Sequence, residues 1–314
     1  MLSEQFKQDR PYLECKFKTQ VCDPDTGFDN ETLKFKLGKL VEELEGEPHE
    51  LIKAKAFSYI CENLMIDVSQ QDFFVCFGCW NRNDRPLSSL ILKWDNEINT
   101  NYMKELKLLE EQNASGASKM WKDFDHSVPD WEAVLSLGFP GLLERVVTYR
   151  RERASDGKME RDDEAYYDGI EITYRAMIKM LDRFYLYALE HTHESPRIKA
   201  VAACLDSLRK GAPSNIFEAL QLIYLFFIFG EHIDRFQVRS LGNLDRILYP
   251  YFQKDIADGR YTEENIRDFL AYFMMQWASI DNYWGHPFYF GGSKANGETE
   301  INDLSYIILD VYDQ

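Results

Sequence analysis

The chain has few cysteines, no excess of positive charge and no long apolar run. Each shortage excludes a class of protein. Six cysteines in 314 residues (Cys15, Cys22, Cys61, Cys76, Cys79 and Cys204) are too few and too irregularly spaced for a secreted disulfide framework. Lysine and arginine number 36 against 53 acids, a net charge of −17. That leaves no basic face for nucleic acid, which would have to neutralise phosphates. The longest apolar run, Leu222 to Phe229, falls short of the roughly 20 residues that cross a bilayer. Met1 to Arg10 is charged and has no signal-peptide core. No repeat, no low-complexity tract and no phosphate-binding glycine loop occurs; Gly291-Gly292 lacks the lysine and spacing of one. The expectation is a soluble protein of the reducing cytoplasm with no nucleic-acid, membrane or metal partner.

What is present is core-forming material: 45% hydrophobic and 14% aromatic residues. Residues 1–30 read as polar and turn-rich, with Asp23-Pro24-Asp25-Thr26-Gly27 a turn signal. Asn30 to Leu64 reads as helices broken near Gly46. Phe73 to Phe77 reads as a strand, and Trp94 to Gln112 as one amphipathic helix. Asp130 to Arg145 reads as a helix interrupted near Gly138, and Arg150 to Arg161 as a solvated charged segment. Asp163 to His191 keeps a three/four apolar spacing and predicts one long helix. Pro196 opens the next helix. Ser214 is a plausible N-cap for a helix through Gly230 whose apolar run has no polar face, which predicts burial. Thr262 caps a helix with Glu263 and Glu264 at its positive end. The stretch from Tyr289 to Leu309 reads as a strand ending in two glycines, a loop and a new helix, after which the chain stops. That stop gives the expectation of the front part of something larger.

Four segments carry a family resemblance: H-S-V-P-D-W-E-A-V-L (His126 to Leu135) with G-F-P-G-L-L-E-R-V (Gly138 to Val146), A-Y-Y-D-G-I-E-I-T-Y-R-A-M-I (Ala165 to Ile178), A-P-S-N-I-F-E-A-L-Q (Ala212 to Gln221), and the tail from Phe236. In this order and spacing the chain resembles the N-terminal part of glycyl radical enzymes, on the glycerol dehydratase and choline trimethylamine-lyase branch. Where that branch has G-R-F-D-Q, this chain has Gly242-Asn243-Leu244-Asp245-Arg246. The resemblance implies a single helix-rich α/β unit over 1–314. Residues 1–230 would be mostly helical, and 231–314 would begin a ten-stranded α/β barrel that is incomplete here. It implies a lyase or dehydratase that cleaves a C–O, C–N or C–C bond of a small polar substrate. The glycyl radical would be installed by a radical-SAM activating enzyme, under anaerobic conditions. No R-V-x-G-Y-like glycine motif occurs in 1–314, and Cys79 does not match the position of the family's thiyl cysteine. The chain is therefore expected to bind no cofactor directly, to carry no catalytic residue, and to be inactive without a companion chain or further sequence; a homodimer is the other partner expectation. The alternative reading is a non-catalytic helical remnant or interaction protein.

The resemblance places His126, Gln237, Arg239 and His286 on the substrate. An imidazole at His126 can donate to or accept from a hydroxyl; the plainer reading is a helix-entry packing residue. Arg239 can clamp an anionic group or form a structural ion pair. His286, before Pro287, is either a turn residue or the end of a strand facing the pocket. Cys76 and Cys79 form a lone C-x-x-C without the second pair that zinc needs, and are read as buried thiols. His191 and His193 at a helix end are read as favouring its dipole.

Overall fold

The computed structural model describes residues 1–19, 30–77, 87–117, 126–234, 237–238, 240–280 and 287–314. The turn signal at Asp23–Gly27, Cys22, Cys79, Arg239 and His286 lie outside them. Helices run α1 Glu4–Thr19, α2 Asn30–Glu43, α3 His49–Asn63, α4 Ser88–Asn101, α5 Met103–Ala114, α6 Trp131–Ser155, α7 Arg161–Glu190, α8 Pro196–Leu208, α9 Ile216–Ile228, α10 Leu244–Ala257, α11 Glu263–Ser279 and α12 Asp303–Asp313. Among the described residues, four two-residue strands sit between them: β1 Ile66–Asp67, β2 Cys76–Phe77, β3 His126–Ser127 and β4 Gln237–Val238. The helix-rich α/β expectation holds.

The centre is α9. Every residue of it except Phe226 is buried, and α6, α8, α10 and α11 pack around it. Its apolarity continues through a π-helical turn at Phe229–Ile233. The 18 residues Ile216–Ile233 have the length and hydropathy of a membrane span, but 89% of the stretch is buried inside the protein. A helix with no polar face is satisfied equally well by a protein core. Its N-cap is Asn215, not Ser214: the Asn215 side chain accepts from the Glu218 N–H at 3.0 Å, while the Ser214 N–H donates to Glu218 Oε2 at 2.6 Å. Asn215 thus satisfies a first-turn N–H, and the Glu218 side chain reaches back to the N–H of the residue before the cap.

Other helix starts match their sequence signals. Ser195 Oγ accepts from the Ile198 N–H with Pro196 in the first turn, and Thr262 forms a reciprocal box with Asn265. Gly138 interrupts α6 at φ 62°, where a Cβ would stand 2.5 Å from the Gly211 carbonyl oxygen. The charged stretch from Arg150 is helical as far as Ser155 and ties α6 to α7. Arg150 pairs with Asp168 at 2.5 Å and Glu171 at 3.0 Å, and Arg153 pairs with Asp163 at 2.8 Å.

Three further expectations need correction. Residues 4–19 form α1, not turns. Phe6, Asp9 and Leu13 share its buried side, with Leu2 buried just before it, and the buried carboxylate hides the periodicity. Asp9 Oδ2 accepts from Arg197 Nη1 at 2.7 Å and from the Tyr272 hydroxyl at 2.5 Å. The Arg197 guanidinium also lies over the Phe73 and Tyr272 rings. Second, only Cys76–Phe77 of the 73–77 run is strand, antiparallel to β1. The Phe74 N–H donates to Asp72 Oδ1 and the Val75 N–H to Gln221 Oε1, both at 3.0 Å, so side chains replace a strand partner. Third, Trp94 to Gln112 is two helices, broken at Tyr102 after the poor helix formers Asn99, Thr100 and Asn101.

Candidate active-site region

Three short parallel segments come together where the sequence places its candidate residues. β3 pairs with β4 in parallel, His126 opposite Gln237 and Ser127 opposite Val238. Downstream, Asn243 bridges in parallel to Tyr289. The Leu241 N–H donates to the Pro287 carbonyl at 3.2 Å, the Tyr289 N–H to the Gly242 carbonyl at 2.8 Å, and the Leu244 N–H to the Tyr289 carbonyl at 3.2 Å. Residues 237–238 and 240–244 therefore lie between β3 and the 287–291 segment. Helices α6 to α9 connect the first pair and α10 with α11 the second, which is the repeating pattern of a parallel α/β sheet.

A turn and a buried carboxylate lock this arrangement. Gly242 takes φ 65°, and its N–H donates to Ser240 Oγ at 2.9 Å. Trp131 Nε1, at the start of α6, donates to the Ser240 carbonyl at 3.0 Å and so joins the β3 exit to the β4 exit. Asn243 Nδ2 donates to the Gly291 carbonyl at 3.0 Å. Asp245, fully buried, accepts from the Gly291 N–H at 2.7 Å, from Ser305 Oγ at 2.5 Å and from the Arg246 N–H at 2.8 Å. One carboxylate thus joins α10, the glycine pair and the first turn of α12. Arg246, where the resembled branch has glutamine, pairs with Glu300. Gly291 sits at φ 57°, where a Cβ would lie 2.6 Å from Ile301 Cγ1.

Of the four residues expected at the substrate, His126 and Gln237 are brought side by side by the backbone. Arg239 and His286 lie outside the described residues. Cys76 is not placed to meet a substrate: it is buried, and the Tyr224 hydroxyl donates to its sulfur at 3.2 Å. Burial pushes the Cys61 and Cys204 thiols well above their ordinary range. Among the described residues, no cluster of three or more His, Cys, Asp or Glu could hold a metal.

A cleft that the sequence did not announce adjoins β3. A 440 Å³ cavity between α3 and α7 shares Phe57, Thr173, Met177, Phe226 and Asp234 with a 200 Å³ cavity that reaches Ser127. Asp234 ends the π-helical turn, three residues before Gln237. Its Oδ1 lies 2.8 Å from Lys53 Nζ. Burial pushes the Asp234 carboxyl up, and Lys53 opposes that shift. Burial also raises the Tyr174 hydroxyl.

A profile of the family described as pyruvate formate lyase-like matches residues 93–314. The chain belongs to this family of glycyl radical enzymes. It is 22% identical over 205 residues to the 4-hydroxyphenylacetate decarboxylase glycyl radical subunit of Clostridioides difficile, covering 56% of this chain and 22% of that protein. It is 25% identical over 232 residues to isethionate sulfite-lyase of Bilophila wadsworthia, covering 64% and 26%. A structure solved for 1,2-propanediol dehydration in Roseburia inulinivorans superimposes with a TM-score of 0.74 at 17% identity, over 100% of this chain and 46% of that one. The aligned region spans about a quarter of these curated relatives and under half of the solved structure. The fold shared with that structure is consistent with part of an α/β barrel.

Proposed function

We propose that this chain forms the substrate-binding beginning of a glycyl radical lyase or dehydratase that cleaves a C–O, C–N or C–C bond of a small polar molecule. The observation that carries the reading is the parallel register of His126 with Gln237, the first two candidate residues of the family motif, on adjacent strands. Arg239 and His286 complete the set as substrate-binding residues. Side chains two registers wide on a parallel pair can hold neighbouring polar groups of one small substrate. His126 would hydrogen-bond a hydroxyl or leaving-group oxygen, Gln237 would fix its neighbour, and Arg239 would hold an anionic substituent.

The radical, when present, supplies hydrogen-atom abstraction from the substrate. In this proposal the radical-bearing cysteine and glycine are supplied by a companion chain or further sequence. This chain's part is to bind, orient and exclude water. The radical-SAM activating enzyme, a companion chain or homodimer, and an anaerobic cytoplasmic setting belong to the same proposal. A second reading, a non-catalytic interaction protein, draws on the exposed stripe Tyr306, Leu309 and Tyr312 along α12.

Reading the coding DNA past the Gln314 codon tests the proposal. A same-frame or adjacent frame that encodes a cysteine loop and an R-V-x-G-Y-like motif, beside a radical-SAM protein, is the expected result. A neighbourhood with none of these would favour the interaction protein.

A further inference from the structure

We infer that the cleft between α3 and α7 is a binding site for a small neutral alcohol with an apolar body, and that this chain forms it by itself. The floor is apolar and aromatic: Phe57, Met177 and Phe226 line both parts of the cavity. The combined space lies in the range of small-molecule pockets, which are mostly apolar with a few convergent polar groups. Those groups are Lys53 and Asp234, which meet across the cleft from α3 and from the turn before β4. Asp234 Oδ1 lies 2.8 Å from the Lys53 ammonium, and a carboxylate oxygen keeps a lone pair for a second donor. A buried carboxylate oxygen in this state retains acceptor capacity and gains from a donor.

The charge pair selects the head group. Lys53 and Asp234 neutralise each other, so neither is left to bind an ion without breaking the pair, and Glu50 on the rim further disfavours a carboxylate. A hydroxyl meets both needs at once: its O–H donates to Asp234 Oδ1 and its lone pairs accept from Lys53 Nζ. The apolar body then lies on Phe57, Met177 and Phe226.

The proposal does not depend on the radical chemistry, because it concerns the 314-residue chain alone. Its failure would leave the lyase reading standing, and the converse holds. The probes are benzyl alcohol, toluene and benzoate, titrated into the isotope-labelled protein and followed by NMR. Benzyl alcohol is expected to bind saturably, to shift resonances of Thr173, Met177 and Phe226, and to bind at least about fivefold more tightly than toluene or benzoate. Lys53→Met should weaken it about tenfold. Thr173→Trp, which keeps the charge pair and fills the cleft, should abolish binding while the melting temperature holds. Non-saturable shifts, shifts confined to other surfaces, equal binding of toluene, or undiminished binding by Thr173→Trp would each overturn the assignment.

Discussion

Replacing Asp245 with asparagine should unfasten the start of the barrel, and the size of the effect follows from three contacts. The carboxylate accepts from the Gly291 N–H, the Ser305 hydroxyl and the Arg246 N–H. Asparagine keeps the shape but offers an NH2 on one side, so a donor must face either the Gly291 N–H or the Arg246 N–H. Ser305 has little freedom to compensate, since its oxygen also accepts from the Asn302 N–H at 3.0 Å. Hydrogen bonds to charged groups contribute about 1.5–3 kcal/mol each, and burial of a neutral amide recovers part of that, leaving a net loss of about 3 kcal/mol. A chain of 314 residues unfolds with an entropy of about 0.66 kcal/mol per kelvin, so the melting temperature should fall by about 5 °C. Hydrogen exchange at the Gly291 amide should accelerate more than at α9, because the loss is local. A melting temperature within about 1 °C of the parent, or unchanged Gly291 exchange, would refute the assignment of Asp245 as the fastener.

Other outcomes follow from the same geometry. Asp9→Ala leaves Arg197 buried without its carboxylate and Tyr272 without its acceptor, and should cost about 4 kcal/mol in urea unfolding. The triple change Asp9→Leu, Arg197→Met and Tyr272→Phe should recover most of that, because an apolar replacement removes all the buried polar groups together. Gly291→Ala should cost about 2 kcal/mol, part of it regained with Ile301→Ala, whereas Gly138→Ala meets the Gly211 backbone and should have no such rescue. Asp234 has a raised folded-state pKa, so its contribution to stability is complete below the unfolded value of about 3.9 and is lost as pH rises through the folded value. Asp234→Asn should remove that slope between acid and neutral pH in denaturant midpoints, against the background of Lys53, Glu50 and Tyr174 around it.

The parts of this fold that were legible are those specified locally. The capping box at Thr262, the proline after Ser195, the three/four spacing of α7 and the featureless apolarity of α9 each involve residues within a few positions of one another. What escaped depends on distant partners. α1 reads as polar because Asp9 stands on its inner face, where, besides the local Gln5, Arg197 and Tyr272 from far along the chain partner it. The run Phe73–Phe77 has strand composition but finds Gln221 and its own Asp72 instead of a neighbouring strand. The candidate site was legible as a motif, through His126 and the Gly242 turn. The pairing of His126 with Gln237 was not, since strands of two residues leave no alternation to read. The Lys53–Asp234 pair gives no sequence pattern at all.

The central claim is that His126 acts on the substrate of a glycyl radical enzyme. The direct measurement is anaerobic reconstitution of this protein with the chain supplying the cysteine loop and glycine motif, its activating enzyme and S-adenosylmethionine, with parent and His126→Ala compared for the glycyl radical signal and for turnover. The account predicts an undiminished radical signal in both, and turnover lowered by about 10²-fold or more in the variant. Turnover unchanged by His126→Ala, or equal in the absence of this chain, would contradict it.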